Sequence, residues 1–150
     1  MSGQVVSIAT GEVLQIPMSD PDLTLEDVVA VEQVLRGAQL GQGALVEELE
    51  QAFAAQCGRA RGVAASSAAM ALVMVLTAKG IGPGDEVILS AHSFHELGHA
   101  VLRCGATPVF ADIDYWSGCL SATKSADKVT SRTRAILAGN TCGHPADWPG

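Results

Sequence analysis

His95, Glu96 and His99 spell H-E-x-x-H inside the stretch SFHELGHAVLRCG, residues 93–105. Two histidines four apart share one face of a helix, and a glutamate between them could polarise a metal-bound water. That is the pattern of zinc hydrolases. A catalytic zinc needs a third protein ligand. The extended form of the motif requires Gly at 102 and His at 105, where this chain has Leu102 and Gly105. The other usual third ligand is a downstream glutamate, and no glutamate follows Glu96. Asp112 could serve only if a strand end folded back, and His92 and His144 sit at no recognised spacing. The reading favoured here therefore assigns no metal site. A zinc hydrolase using His95, Glu96 and His99, and divalent-metal binding by His92, His95 and His99, stand as alternatives.

A second constellation lies at GVAASSAAMALVMVL. Ser66 and Ser67 follow an apolar run and open a helix whose first turn holds Ala68 and Ala69. The first N–H groups of a helix lack internal partners and sit at the positive end of its dipole. Small side chains there let an anion approach, which makes a phosphate cradle. A capping serine that merely starts a helix would look the same.

The elements that would position these residues alternate along the chain. Helices are expected over 22–36, with Thr24 and Asp27 as a capping box and Gly37 as the stop, and over 45–56, ended by Gly58. Val28, Val31 and Leu35 line one face of the first; Leu45, Leu49 and Phe53 line one face of the second. Residues 62–66 read as a strand and 67–79 as an apolar helix closed by Gly80. A strand at 85–90, a helix at 94–104 stopped by Gly105, and a strand at 107–112 follow. A weak helix near 125–129 and a strand at 133–139 come next, and 146–150 looks like the start of another helix. The strands are rich in Val and Ile without polar alternation, which is the pattern of parallel strands covered on both faces. The fold expected is α/β, a mostly parallel sheet with helices on both sides.

Composition narrows the class. At 150 residues with 48% apolar content, the chain can bury a core. A net charge of −7 disfavours nucleic acid or an anionic membrane as partner. The apolar run 63–78 is interrupted by Ser66, Ser67 and Thr77 and is too short to span a bilayer. The N-terminus has no basic region of a secretory signal, so a cytoplasmic protein is expected. Cys57, Cys104, Cys119 and Cys142 are widely spread without C-x-x-C and read as free thiols.

In order, the chain contains IPMSDPDL, VLRGAQLGQG, VEELEQAFAAQCG, SSAAMAL, GIGPGDEVILSAHSF, CGATPVFADID, RTRAI and GHPAD. This series, from Ile16 to Asp147, resembles the DegT/DnrJ/StrS family of sugar aminotransferases, with GIGPGDEVI followed by GATPVFADID as its most specific pair. The resemblance implies the large domain of a type I fold dependent on pyridoxal 5'-phosphate (PLP). Residues 1–58 would be an arm and helices, and 59–150 the start of the sheet domain, incomplete at residue 150. It implies amino transfer from an amino acid, usually glutamate, to a keto-sugar nucleotide, by a homodimer.

The resemblance also implies site residues. Backbone N–H groups of Ser67, Ala68 and Ala69 would hold the cofactor phosphate. Phe94, eleven residues before Gly105, would lie over the pyridine ring. Asn140 stands where the family has His, beside the cofactor's phenolic oxygen. Ala68 and Ala69 replace a family Gly and Thr, which removes a phosphate-binding hydroxyl. His95, Glu96 and Leu97 replace x-Ala-Thr. The chemistry also needs a lysine amine and a carboxylate at the pyridine nitrogen. The family supplies both beyond the point where this chain stops, and Lys79, Lys124 and Lys128 match no motif. A non-catalytic partner subunit of such an enzyme is the remaining alternative.

Overall fold

The structure is a computed structural model that describes residues 3–6, 13–16 and 19–148. It divides into two compact units, at Arg61 and Gly62.

The first unit opens with strands β1 (Gly3–Val6) and β2 (Val13–Ile16), paired antiparallel with Gly3 opposite Ile16. The sequence reading assigned no hairpin here. Four-residue apolar runs are too short to show a period. Helix α1 (Leu25–Arg36) follows, and its capping box is formed in both directions. The Asp27 N–H donates to Thr24 Oγ1 at 3.3 Å, and the Thr24 N–H donates to Asp27 Oδ2 at 2.8 Å. The bonds from Thr24 hold the Asp27 carboxyl below its ordinary range. Helix α2 (Ala44–Gln56) buries only Ala54. The expected apolar stripes exist but face outward: Val31 is 60% and Phe53 62% exposed. Helical spacing specifies an apolar face without specifying what covers it.

The second unit holds helix α3 (Ala68–Ala78), strand β3 (Glu86–Ser90), helix α4 (Glu96–Arg103), strand β4 (Thr107–Ala111), helix α5 (Ala122–Ala126) and strand β5 (Thr133–Leu137). The strands form one parallel sheet in the order β4-β3-β5. Central β3 is buried along its whole length, Val87–Leu89 as its apolar run and Glu86 and Ser90 as hydrogen-bonded polar ends. On one face Val87 packs with Leu76, Ile81, Val101 and Ala106, so α3 and α4 cover it. On the other, Ile88 packs with Ala111 and Leu120, just ahead of α5.

Three expectations need correction. Residues 62–66 form no strand of this sheet, and Val63 is 71% exposed. Apolar composition favours burial, but a strand also needs a neighbouring edge. Helix α5 starts at Ala122, three residues before 125, because Ser121 caps it, its Oγ accepting from the Lys124 N–H. Residues 146–148 are not helical, and the rest of that expected helix, 149–150, lies outside the described residues. A 3₁₀ turn at Thr141–Gly143 precedes them instead.

Two positions carry testable weight. Gly105 ends α4 at φ +79°, and a Cβ there would meet Pro83 Cγ at 3.0 Å. The left-handed conformation alone costs an alanine about 1–2 kcal/mol. Gly105→Ala is therefore expected to lose at least that in urea unfolding; an unchanged midpoint would contradict the assignment. At the same, amino end of the strand pair that α4 connects, Glu86 has a side chain only 8% exposed, paired with Arg132 and accepting from Thr130 Oγ1. The Thr130 hydroxyl first, and the Arg132 guanidinium next, hold this carboxyl below the usual glutamate range. A lowered folded pKa contributes stability that is present above the unfolded value, about 4.3, and is lost as pH falls through the folded one. Wild type should thus exceed Glu86→Gln in stability at neutral pH and lose that lead in acid. Parallel stability curves down to the acid limit would show that the pair contributes nothing.

Candidate functional site

In open parallel sheets, ligands bind outside the carboxyl ends of the strands. Here the loops after all three strands converge at that end. A Cβ placed on Gly118, in the loop after β4, would lie 3.7 Å from Thr141 Cγ2 and 4.0 Å from His92 Cδ2. Thr141 follows β5 and His92 follows β3. The buried Cys119 thiol, 3.4 Å from the His144 carbonyl, ties the same loops together. Serine hydroxyls shape the first of them. Ser90 Oγ accepts from the His92 N–H at 3.1 Å, and Ser93 Oγ donates to the Ser90 carbonyl at 2.9 Å. Asp114 folds the second by accepting from the Trp116 and Ser117 N–H groups, which holds its carboxyl below the usual range, Ser117 contributing most.

Ser67 is the N-cap of α3, as its sequence position suggested: its Oγ accepts from the Met70 N–H at 3.2 Å. The Ala71 N–H bonds the Ser67 carbonyl, so the amides of Ala68 and Ala69 in the first turn have no helical acceptor. Leu76, near the other end of α3, sits in the core with Ile81 and Val87, where β3 begins. An 11-residue helix is about 16 Å long. Its free N–H groups are thereby carried back toward the carboxyl end of the sheet.

Phe94 lies four residues beyond β3 and is 63% exposed. Its ring leans on the His95 imidazole at 4.5 Å. Asn140 lies three residues beyond β5. One side-chain atom of Asn140 receives the Ala146 N–H at 3.0 Å and the Trp148 indole N–H at 3.2 Å. Two donors demand the carbonyl oxygen there, so the Nδ2 group is the end left for another acceptor. Sequence reasoning missed the Trp148 clamp, since residues eight apart across a turn share no periodic signal. Among the described residues, no hydrogen bond or ring contact joins Ser67, Phe94 and Asn140 to one another. Phe94 and Asn140 share the carboxyl end of the sheet, and the run of α3 directs Ser67 toward it.

The H-E-x-x-H pair is only partly helical. Helix α4 begins at Glu96, with His95 as its N-cap, and the two imidazoles stand edge to face at 5.3 Å. Among the described residues no third His, Cys, Asp or Glu joins them. Lys124 donates to Asp112 and to the Ile113 carbonyl. An ammonium held this way is not poised as a nucleophile. All four cysteines are free thiols.

A helix-covered parallel sheet with a capped helix N-terminus and three converging loops is part of the large domain of a type I PLP-transferase fold. The chain belongs to the DegT/DnrJ/EryC1/StrS aminotransferase family, whose model matches residues 21–149. It is 39% identical over 132 residues to the spore coat polysaccharide biosynthesis protein SpsC of Bacillus subtilis, covering 88% of this chain and 34% of SpsC. Among solved structures it matches Spr1654 of Streptococcus pneumoniae, assigned as a sugar aminotransferase, at a TM-score of 0.83 and 29% identity, over 89% of this chain and 34% of that one. Spr1654 has been solved with PLP and with the aminated form of that cofactor, PMP. DesV of S. venezuelae matches at a TM-score of 0.79 and 36% identity, over 83% of this chain and 33% of DesV. The chain thus spans about a third of the length of these relatives. No helix among the described residues is long and apolar enough to cross a membrane.

Proposed function

We propose that this chain supplies the phosphate-binding part of a PLP-dependent sugar aminotransferase, which moves an amino group from an amino acid, glutamate first among them, to a keto-sugar nucleotide. The enzyme is read as a cytoplasmic homodimer. The observation that carries the proposal is the first turn of α3, where two amides have no helical acceptor and both side chains are methyl groups. PLP, when bound, supplies the electron sink for amino transfer.

The residues of this chain hold and orient it. The Ser67, Ala68 and Ala69 amides bind the phosphate with the help of the helix dipole. The exposed Phe94 ring lies against the pyridine. The Asn140 Nδ2 group donates to the phenolic oxygen while its Oδ1 stays clamped by Ala146 and Trp148. The amine that would hold the cofactor and move its protons is assigned to a lysine outside residues 1–150.

Borohydride reduction of the PLP-loaded protein, followed by peptide mapping, tests this reading. The expected label falls on a lysine outside residues 1–150, with Lys79, Lys124 and Lys128 unlabelled. A label on any of those three would overturn the division of roles. PLP binding without any reducible label would favour a non-catalytic partner subunit, the reading that the loss of a threonine hydroxyl at Ala69 also suggests.

A further inference from the structure

We propose that His95 and His99 form a two-imidazole site for a divalent first-row transition-metal ion, with water or an anionic ligand filling its remaining positions. Residues four apart at the start of a helix place their Cβ atoms about 5–6 Å apart. The two ring centroids stand 5.3 Å apart at an interplanar angle of 78°. Metal-to-imidazole bonds are about 2.0–2.1 Å, and the ring centre lies roughly 1.1 Å further, so two imidazoles on one tetrahedral ion have centroids about 5 Å apart. The observed centroid spacing therefore matches that of two imidazoles on one ion, which the rings would share by turning a nitrogen of each toward it.

Both histidines are exposed, so an ion in water can reach them. Phe94 packs on His95 at 4.5 Å and limits its freedom, which lowers the entropy lost on binding. The helix N-terminus opposes a cation, but Glu96, in the same first turn, carries the compensating negative charge. With only two protein donors the ion keeps open positions. That distinguishes this site from the closed, four-ligand structural kind and leaves room for a carboxylate or phosphate ligand. Imidazole donors suit Cu2+, Ni2+ and Zn2+, with Cu2+ bound most tightly. The inference stands independently of the aminotransferase reading.

Titration of the chelator-treated protein with Cu2+, and separately with Ni2+, in a non-coordinating buffer tests it. One equivalent should bind, Cu2+ more tightly than Ni2+. His95→Gln and His99→Gln should each weaken binding at least about tenfold, or 1.4 kcal/mol. His92→Gln should leave it unchanged, with thermal melts run alongside to confirm that each variant is folded. His99→Cys, which restores a donor at the same place, should recover binding of Zn2+. The proposal is overturned if the wild type takes up no stoichiometric ion, if both glutamine variants bind like wild type, or if only His92→Gln loses the ion.

Discussion

Ile88→Ala is expected to lower the unfolding free energy by about 2–5 kcal/mol, the range for removing a fully buried aliphatic side chain. Ile88 is completely buried at the centre of β3 and packs against Ala111 and Leu120. Little beside it can collapse into the cavity, since its neighbours belong to two hydrogen-bonded strands and a tightly tied loop. Domains of this size are stable by only about 5–15 kcal/mol, so one substitution would remove a large share. Ile136 provides the internal control. It lies in the same row of the sheet, paired in register with Ile88, but on edge strand β5, and is 50% exposed. Ile136→Ala should cost about 1 kcal/mol, in proportion to the smaller area it removes from water. Equal losses in the two variants would mean that β5 is covered in solution and is not an edge.

The second large effect concerns the phosphate cradle. Ala68→Asp places a carboxylate in the first turn of α3, where the dipole welcomes it, and should stabilise the helix by about 0.3–1 kcal/mol. In the proposed cradle the same carboxylate would meet the dianionic phosphate head-on. Two unit charges 4 Å apart repel by about 4 kcal/mol near a protein surface. PLP affinity should accordingly fall about a thousandfold, close to three factors of 1.4 kcal/mol, while Ala68→Asn should be far milder. Stability and cofactor affinity are thus expected to move in opposite directions. A variant that kept wild-type PLP affinity would remove the phosphate from this helix, whatever happened to its stability.

What the sequence revealed follows from which interactions are local. The capping box of Thr24 and Asp27, the Ser67 cap and the Gly105 stop are made within four residues, and each was legible. The apolar run of β3 announced burial on both faces. Strand order was not legible, because nothing local says that β3 lies between β4 and β5. Residues 62–66 looked like β3 in composition, yet form no strand of that sheet. The apolar faces of α1 and α2 were read correctly as faces but are exposed, since period alone does not name a partner surface. At the site, the Ser67 cap could be marked by type and position, whereas Phe94 was marked only through the family resemblance. The clamping of Asn140 by Ala146 and Trp148, and the meeting of three loops at Gly118, depend on turns with no periodic signature.

Hydrogen exchange across the start of α3, with and without PLP, tests the central claim most directly. The Ala68 and Ala69 amides have no helical acceptor and should exchange quickly in the free protein. Bound phosphate should slow both of them, with little change in amides already bonded, such as those of Lys79 and Gly80 at the far end of the helix. Saturating PLP that left the exchange of Ala68 and Ala69 unaltered would contradict the cradle and the cofactor role built on it.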